Sequence, residues 1–190
     1  MAFIHSHKGG YPLAWHADNQ DYSNVESLQA LRIPYVQDQG YVNLRCNTDP
    51  GCPAQFRVGD GGSVSEDVMR EAWKGIFNDK TPLPRTIGAA CCSQFAVSKE
   101  QVHARSKADY RRIRKWLLNT KLDDHVSGRI MEYVWHIIFE KEAVFCPPVE
   151  ECYCNVYGAC DLDQDAGQEE GQEEGQEEGQ EEGQEEGQQQ

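Results

Sequence analysis

Phe3-Ile4-His5-Ser6-His7-Lys8-Gly9-Gly10-Tyr11-Pro12-Leu13-Ala14-Trp15-His16-Ala17-Asp18 holds half of the six histidines of this 190-residue chain. Ala2 to Ser6 is a short apolar run, stopped by Gly9-Gly10, and predicts a buried strand with sheet neighbours on both sides. Strand side chains alternate between faces, so His5 and His7 point the same way. The Gly9-Gly10 turn and Pro12 fold the chain back and bring His16 and Asp18 toward that pair. Three imidazoles and a carboxylate suit a divalent transition metal, although the spacing matches no standard zinc pattern. The competing reading has His5 and His7 as packed polar residues at a strand end and His16 closing a loop.

The net charge of −14 is a property of one end of the chain. From Gly167 the sequence repeats Gly-Gln-Glu-Glu five times and closes with Gly-Gln-Gln-Gln. Residues 161–190 carry thirteen acids and no bases, so residues 1–160 hold a net charge of only −1. That balance gives no electrostatic footprint for nucleic acid. A glycine every fourth residue and glutamates that repel along one helix face predict a disordered, solvated tail. The remaining 160 residues are enough for one domain with its own core. No membrane segment and no signal peptide is legible, since no apolar run is long enough and Met1 leads straight into the first strand. A buried strand at the first residues predicts the C-terminal part of a larger fold.

Local signals divide the body. Ser23 and Glu26 form a capping box for a short helix ending before Pro34. Tyr41 to Cys46 reads as a strand, and Asp49-Pro50-Gly51 as a tight turn. Ser63 to Glu66 opens a helix whose stripe is Val68, Ala72, Trp73, Ile76 and Phe77. Thr86 to Cys92 is a run of small residues suited to a closely packed strand, and Phe95-Ala96-Val97 continues extended. Ser98 with Gln101 and Ser106 start two more helices. In the second, Ala108, Ile113, Trp116 and Leu117 are expected inward and Arg111, Arg112, Arg114 and Lys115 mostly outward. Asp123 or Asp124 caps the last helix, roughly residues 126–139. Its apolar side is Ile130, Val134, Ile137 and Ile138, and Glu132 and His136 share a face. Together these signals predict an α/β fold, with a small mixed sheet of about four strands flanked by about five helices.

The eight cysteines are Cys46, Cys52, Cys91, Cys92, Cys146, Cys152, Cys154 and Cys160. Their even number, with several in short loops, predicts disulfides formed in an oxidising compartment. The C-x5-C-x-C-x5-C spacing at the C-terminal end is not a usual zinc spacing. Cys46 and Cys52 are expected to bridge each other, and the last four to pair among themselves or with Cys91 or Cys92. Without a signal peptide, the alternative is that the chain as written stays reduced in the cytosol.

Five ordered strings, FIHSHKGGYPLAWHADNQDYSNV, GYVNLRCNTDPGCP, CCSQFAVSKEQV, LDDHVSGRIMEYVWHIIF and CYCNVYGAC, resemble the fungal family of uncharacterised proteins called domain of unknown function 3431, over about residues 1–160. Members of that family usually carry a further N-terminal part, often behind a membrane anchor. The pattern is similar in turn to nucleotide-sugar glycosyltransferases, so the resemblance implies the C-terminal part of a glycosyltransferase-like fold in the secretory pathway. It implies a divalent metal such as manganese, a sugar nucleotide and a glycan acceptor. His5, His7, His16 and Asp18 then line the metal and diphosphate end, where related transferases use an Asp-x-Asp motif. Asp124 or Glu132, or Asp123 beside them, is the base for the acceptor hydroxyl, and Tyr11, Trp15 and Trp135 offer stacking surfaces for a sugar. The structural alternatives are a helix cap at Asp124 and an ion pair of Glu132 with Arg129 or His136. A non-catalytic binding module and an inactive truncated fragment are the other two function classes. No nucleophile elbow or phosphate-binding loop is present.

Overall fold

The computed structural model describes residues 1–3, 18, 23–78 and 81–160. Thirteen elements occur among these residues, namely β1 (Ala2–Phe3), α1 (Asn24–Ala30), α2 (Ile33–Gln39), β2 (Tyr41–Asn43), β3 (Phe56–Arg57), α3 (Glu66–Phe77), β4 (Thr86–Ala89), β5 (Phe95–Val97), α4 (Lys99–Ala104), α5 (Lys107–Asn119), α6 (Asp124–Ile138), β6 (Val144–Phe145) and α7 (Val149–Cys152). A π-helical turn, Tyr153–Tyr157, follows α7. Residues 1–160 form one compact unit.

The fold is mixed α/β, but two three-stranded sheets replace the single expected sheet. One is antiparallel in the order β1-β5-β2; the other, β3-β4-β6, pairs β4 antiparallel to β3 and parallel to β6. The chain changes sheets between β4 and β5, where Cys92 and Ser93 take left-handed backbone conformations (φ 83° and 52°). These two residues end the extended run that was expected to continue into Phe95. The described part of the first strand also departs from expectation. Ala2 is exposed, and among the described residues β1 pairs on one side only, with β5.

Serine and aspartate caps set the helix starts. The side chains of Ser23, Ser65, Ser98, Ser106 and Asp123 each accept a backbone N–H three residues on. The helix α2 was not anticipated. Pro34 lies in its first turn, where the missing N–H costs nothing, so this proline opens one helix as well as following another. In α5 only Ile113 is fully inward; Ala108 and Leu117 are exposed. Arg112 turns in instead and donates to the Ile76 carbonyl at the end of α3, 3.1 Å away. Arg105 does the same for Ile137 and Ile138 at the end of α6, so two arginines satisfy carbonyls that helix ends leave open.

The main core lies between α3, α5, α6 and the β3–β4 pair, with Met69, Ile76, Ile87, Ile130, Val134 and Ile138 fully buried. A second cluster packs α2 and β2 against the C-terminal turn through Val36, Val42, Leu44, Cys46, Cys152 and Val156. A third, aromatic cluster joins Tyr41, Phe95 and Phe139. The small residues of β4 have a clear reason. A Cβ on Gly88 would come within 2.2 Å of the Pro53 carbonyl oxygen, and one on Gly51 within 2.2 Å of the Ala89 carbonyl oxygen. The 50–55 loop therefore lies directly on the strand.

All eight cysteines are bridged; Cys154–Cys160 falls among the last four as expected, while the other pairs differ from the expected ones. Cys46 joins Cys152 and Cys52 joins Cys146, in place of a Cys46–Cys52 bridge. Cys154 joins Cys160, and the adjacent Cys91 and Cys92 join each other. Local spacing favoured short loops, but tertiary packing lays the C-terminal segment on the loop after β2, which makes the long-range pairs the near ones.

Candidate functional site

Apolar residues at Ile130, Val134 and Ile138 turn one side of α6 into the main core. That rotation leaves Glu132 facing the C-terminal end of β4. Its Oε1 accepts the Cys92 backbone N–H at 3.0 Å and the Gln55 amide at 3.5 Å. Arg129, one turn earlier, donates from Nη1 to Oε1 at 3.3 Å and to Oε2 at 3.1 Å. The Glu132 side chain is 14% exposed and that of Arg129 39%, so the pair has one edge in water. The Gln55 side-chain Oε1 is buried and has no partner among the described residues. Gln55 also lines a cleft of 370 Å³ with Pro53, Phe56, Arg57 and Asp60. A buried acceptor without a donor is costly unless something supplies one.

A second charged pair stands beside this one. Arg45 follows β2 and is almost fully buried. Its guanidinium donates to the Asn47 and Asp49 carbonyls and to Cys91 Sγ, the last at 3.3 Å. Its Nε lies 3.4 Å from Asp18 Oδ1. Asp18 Oδ2 also accepts the backbone N–H groups of Cys46 and Asn47, and its carboxylate accepts the Tyr153 hydroxyl. Burial holds the Asp18 carboxyl above its ordinary range, against the pull of these donors and of Arg45. Burial likewise raises Tyr153, with the Asp18 charge adding to it. The two pairs meet at the disulfide. Arg45 touches Cys91, Glu132 holds the N–H of Cys92, and both sulfurs lie within 4.8 Å of a Glu132 oxygen.

The residues expected at the site fall in different places. His5, His7 and His16, with Tyr11 and Trp15, lie outside the described residues. Asp18 is engaged by Arg45 and by three further donors, which does not fit a metal ligand. A divalent ion there would compete with the guanidinium for the same oxygen. Asp123 is the N-cap of α6, accepting Val126 N–H at 2.8 Å. Asp124 is exposed at the first position of the helix. Eight residues separate it from Glu132, about 12 Å along the axis, so the two carboxylates do not converge. Trp135 packs on Phe95 and Phe139, with ring centroids 5.5 and 6.1 Å away. His136 is fully buried and neutral. Burial lowers its pKa to about 4, and its Nε2 faces the Ala143 carbonyl oxygen at 3.1 Å.

Reading the residues alone missed Arg45, Gln55 and Cys91–Cys92 as parts of one cluster. A signal for Arg45 was present, because it interrupts the apolar run Tyr41 to Cys46, where an arginine is buried only with partners. Gln55 carried no signal, since its role arises from the loop lying on β4.

A comparison with family models matches residues 1–155 to the family described as Protein of unknown function (DUF3431). No curated protein and no solved structure matches the chain.

Proposed function

Since the chain belongs to the DUF3431 family of proteins of unknown function, we propose from its geometry that it is a glycan-directed, glycosyltransferase-like domain of the fungal secretory pathway. Glu132, Arg129 and Gln55 hold the acceptor. The observation that carries this reading is the Gln55 side-chain Oε1, buried without a donor among the described residues, beside an Arg129–Glu132 pair with one edge in water. A sugar presents adjacent hydroxyls that both donate and accept. One hydroxyl satisfies Gln55 while its neighbours use the open donors of Arg129 and the Oε2 edge of Glu132. The position supports the reading too, because ligands of α/β sheets gather beyond the carboxyl ends of strands, where β4 ends here. The four disulfides suit an oxidising compartment.

In the transferase form of this reading, Glu132 is the base that takes the proton of the acceptor hydroxyl, and a sugar nucleotide is the donor. Asp124 is too far along α6 to share that task. The resemblance implies manganese as counter-ion of the diphosphate, but Asp18, held by Arg45 and three further donors, does not fit it. Two contacts favour a non-catalytic binding module instead. The ion pair with Arg129 and the Cys92 N–H both already occupy the Glu132 oxygens that a base would turn to the acceptor hydroxyl.

Glu132→Gln separates the two forms, because it keeps the shape and removes the charge. The protein would be titrated calorimetrically with neutral oligosaccharides, and assayed for transfer with a panel of nucleotide-diphosphate sugars. A transferase keeps acceptor affinity within about tenfold and loses turnover by at least ~100-fold. A binding module shows no turnover and a loss of affinity alone. Absence of both glycan binding and transfer in the parent protein would overturn the proposal.

A further inference from the structure

Cys91–Cys92 differs in kind from the other bridges. The Cys46–Cys152 and Cys52–Cys146 bridges span 106 and 94 residues, and each ties the C-terminal segment to the loop after β2. The third joins neighbours in sequence, so it removes almost no freedom from the unfolded chain and does little for global stability. Yet it sits where the central strand of one sheet passes into the central strand of the other, and it coincides with two left-handed, non-glycine residues, Cys92 and Ser93. Such backbone persists only where the surroundings impose it.

The charges around the two sulfurs are unequal. Arg45 donates directly to Cys91 Sγ. On the other side, Glu132 accepts the N–H of Cys92 and is itself paired with Arg129. Asp18 and Tyr153 stand behind Arg45. A Glu132 oxygen lies within 4.8 Å of both sulfurs, so the asymmetry rests on Arg45, which favours a thiolate at Cys91 over one at Cys92. Cys92 is also the less buried of the two.

We propose that Cys91–Cys92 is a redox-active site that exchanges with an external dithiol, with Arg45 stabilising Cys91 as the leaving thiolate. A thiolate of the dithiol attacks Cys92 Sγ, a new S–S bond forms there, and the Cys91–Cys92 bond breaks. Cys91 leaves with the electron pair and stays paired with Arg45. The second thiol of the reductant, deprotonated by solvent, attacks its own sulfur in the mixed disulfide. That releases Cys92, which takes up a proton, and the reductant departs as a cyclic disulfide. Two electrons have passed from the dithiol to the protein.

The test titrates the full oxidised chain with dithiothreitol, quenches with alkylating agent and maps each cysteine by mass spectrometry. Cys91 and Cys92 are expected to open at a reductant concentration at least ~10-fold below that needed for Cys46–Cys152 and Cys52–Cys146, and to close again when oxidised dithiothreitol is restored. Two single variants read the asymmetry. In Cys92→Ser the remaining Cys91 should alkylate with a midpoint below the ordinary thiol value of about 8.5, and in Cys91→Ser the remaining Cys92 at or above it. Opening of Cys91–Cys92 only together with the two long-range bridges would overturn the proposal. So would equal midpoints for the two single thiols.

Discussion

The region of α3, α5 and α6 buries Met69, Ile76, Ile130, Val134 and Ile138 completely and has no cysteine in its packed cluster. The region of α2, β2 and the Tyr153–Tyr157 turn packs far fewer side chains, and two of them are the halves of the Cys46–Cys152 bridge. The first region is held by apolar area removed from water, at roughly 25 cal/mol per Å². The second lacks enough of that area and relies on cross-links, each closing a loop of about 100 residues and contributing about 4.7 kcal/mol in the chain-entropy account. Helices of twelve to fifteen residues present long apolar stripes, whereas two- and three-residue strands and a four-residue helix do not. Where the elements are short, covalent bonds stand in for packing.

The largest expected effect falls on the stapled region. Removing the long bridge in a Cys46→Ser/Cys152→Ser variant should lower stability by about 4 kcal/mol in urea unfolding. A loss under about 1 kcal/mol would show that apolar packing alone holds this region, and the contrast between the two halves would fail.

The packed region carries its own sensitivity, to pH. His136 is buried in α6, with its pKa lowered from 6.5 to about 4 by desolvation. Between these values the unfolded chain binds more protons than the folded one, so stability rises with pH. The contribution is complete above pH 6.5 and is lost as pH falls toward 4, about 3 kcal/mol in all. Comparing urea midpoints of the parent and His136→Gln across that window isolates the imidazole from the carboxylates. The variant should show the shallower slope, and parallel slopes would mean that His136 is not buried neutral.

The smallest effect lies at the junction between the regions. Ser98 accepts the Gln101 N–H to start α4, while its own N–H donates to Gly40, and the Gln101 amide reaches the Phe139 carbonyl. Ser98→Ala should cost about 1 kcal/mol in the same unfolding measurement, the usual value of a cap. A cost near that of the disulfide variant would show that the junction controls both regions.

Glu132 shows how far single residues could be read. Its place on one face of α6, and its pairing with Arg129, follow from helical spacing and were legible in the sequence. That its carboxylate also holds Cys92, forty residues away in sequence, was not, because no local signal records which strand end a helix face meets. The histidines at positions 5, 7 and 16 lie outside the described residues, and the described part of that segment reaches the charged cluster through Asp18.

The sequence by itself determined the capped starts of α1, α3, α4, α5 and α6, the core stripe of α3 and α6, the turn at Asp49-Pro50-Gly51, the concentration of net negative charge in residues 161–190 and the reading of the cysteines as disulfides. Each rests on residues within a few positions of one another: a cap, a periodicity, a charge run. Tertiary structure alone decided the division into two sheets, the partners of Cys46 and Cys52, the inward turn of Arg112, and the meeting of Arg45, Cys91–Cys92 and Glu132. These depend on which distant segments pack together, and packing is chosen by total burial over the whole chain, which no short stretch encodes.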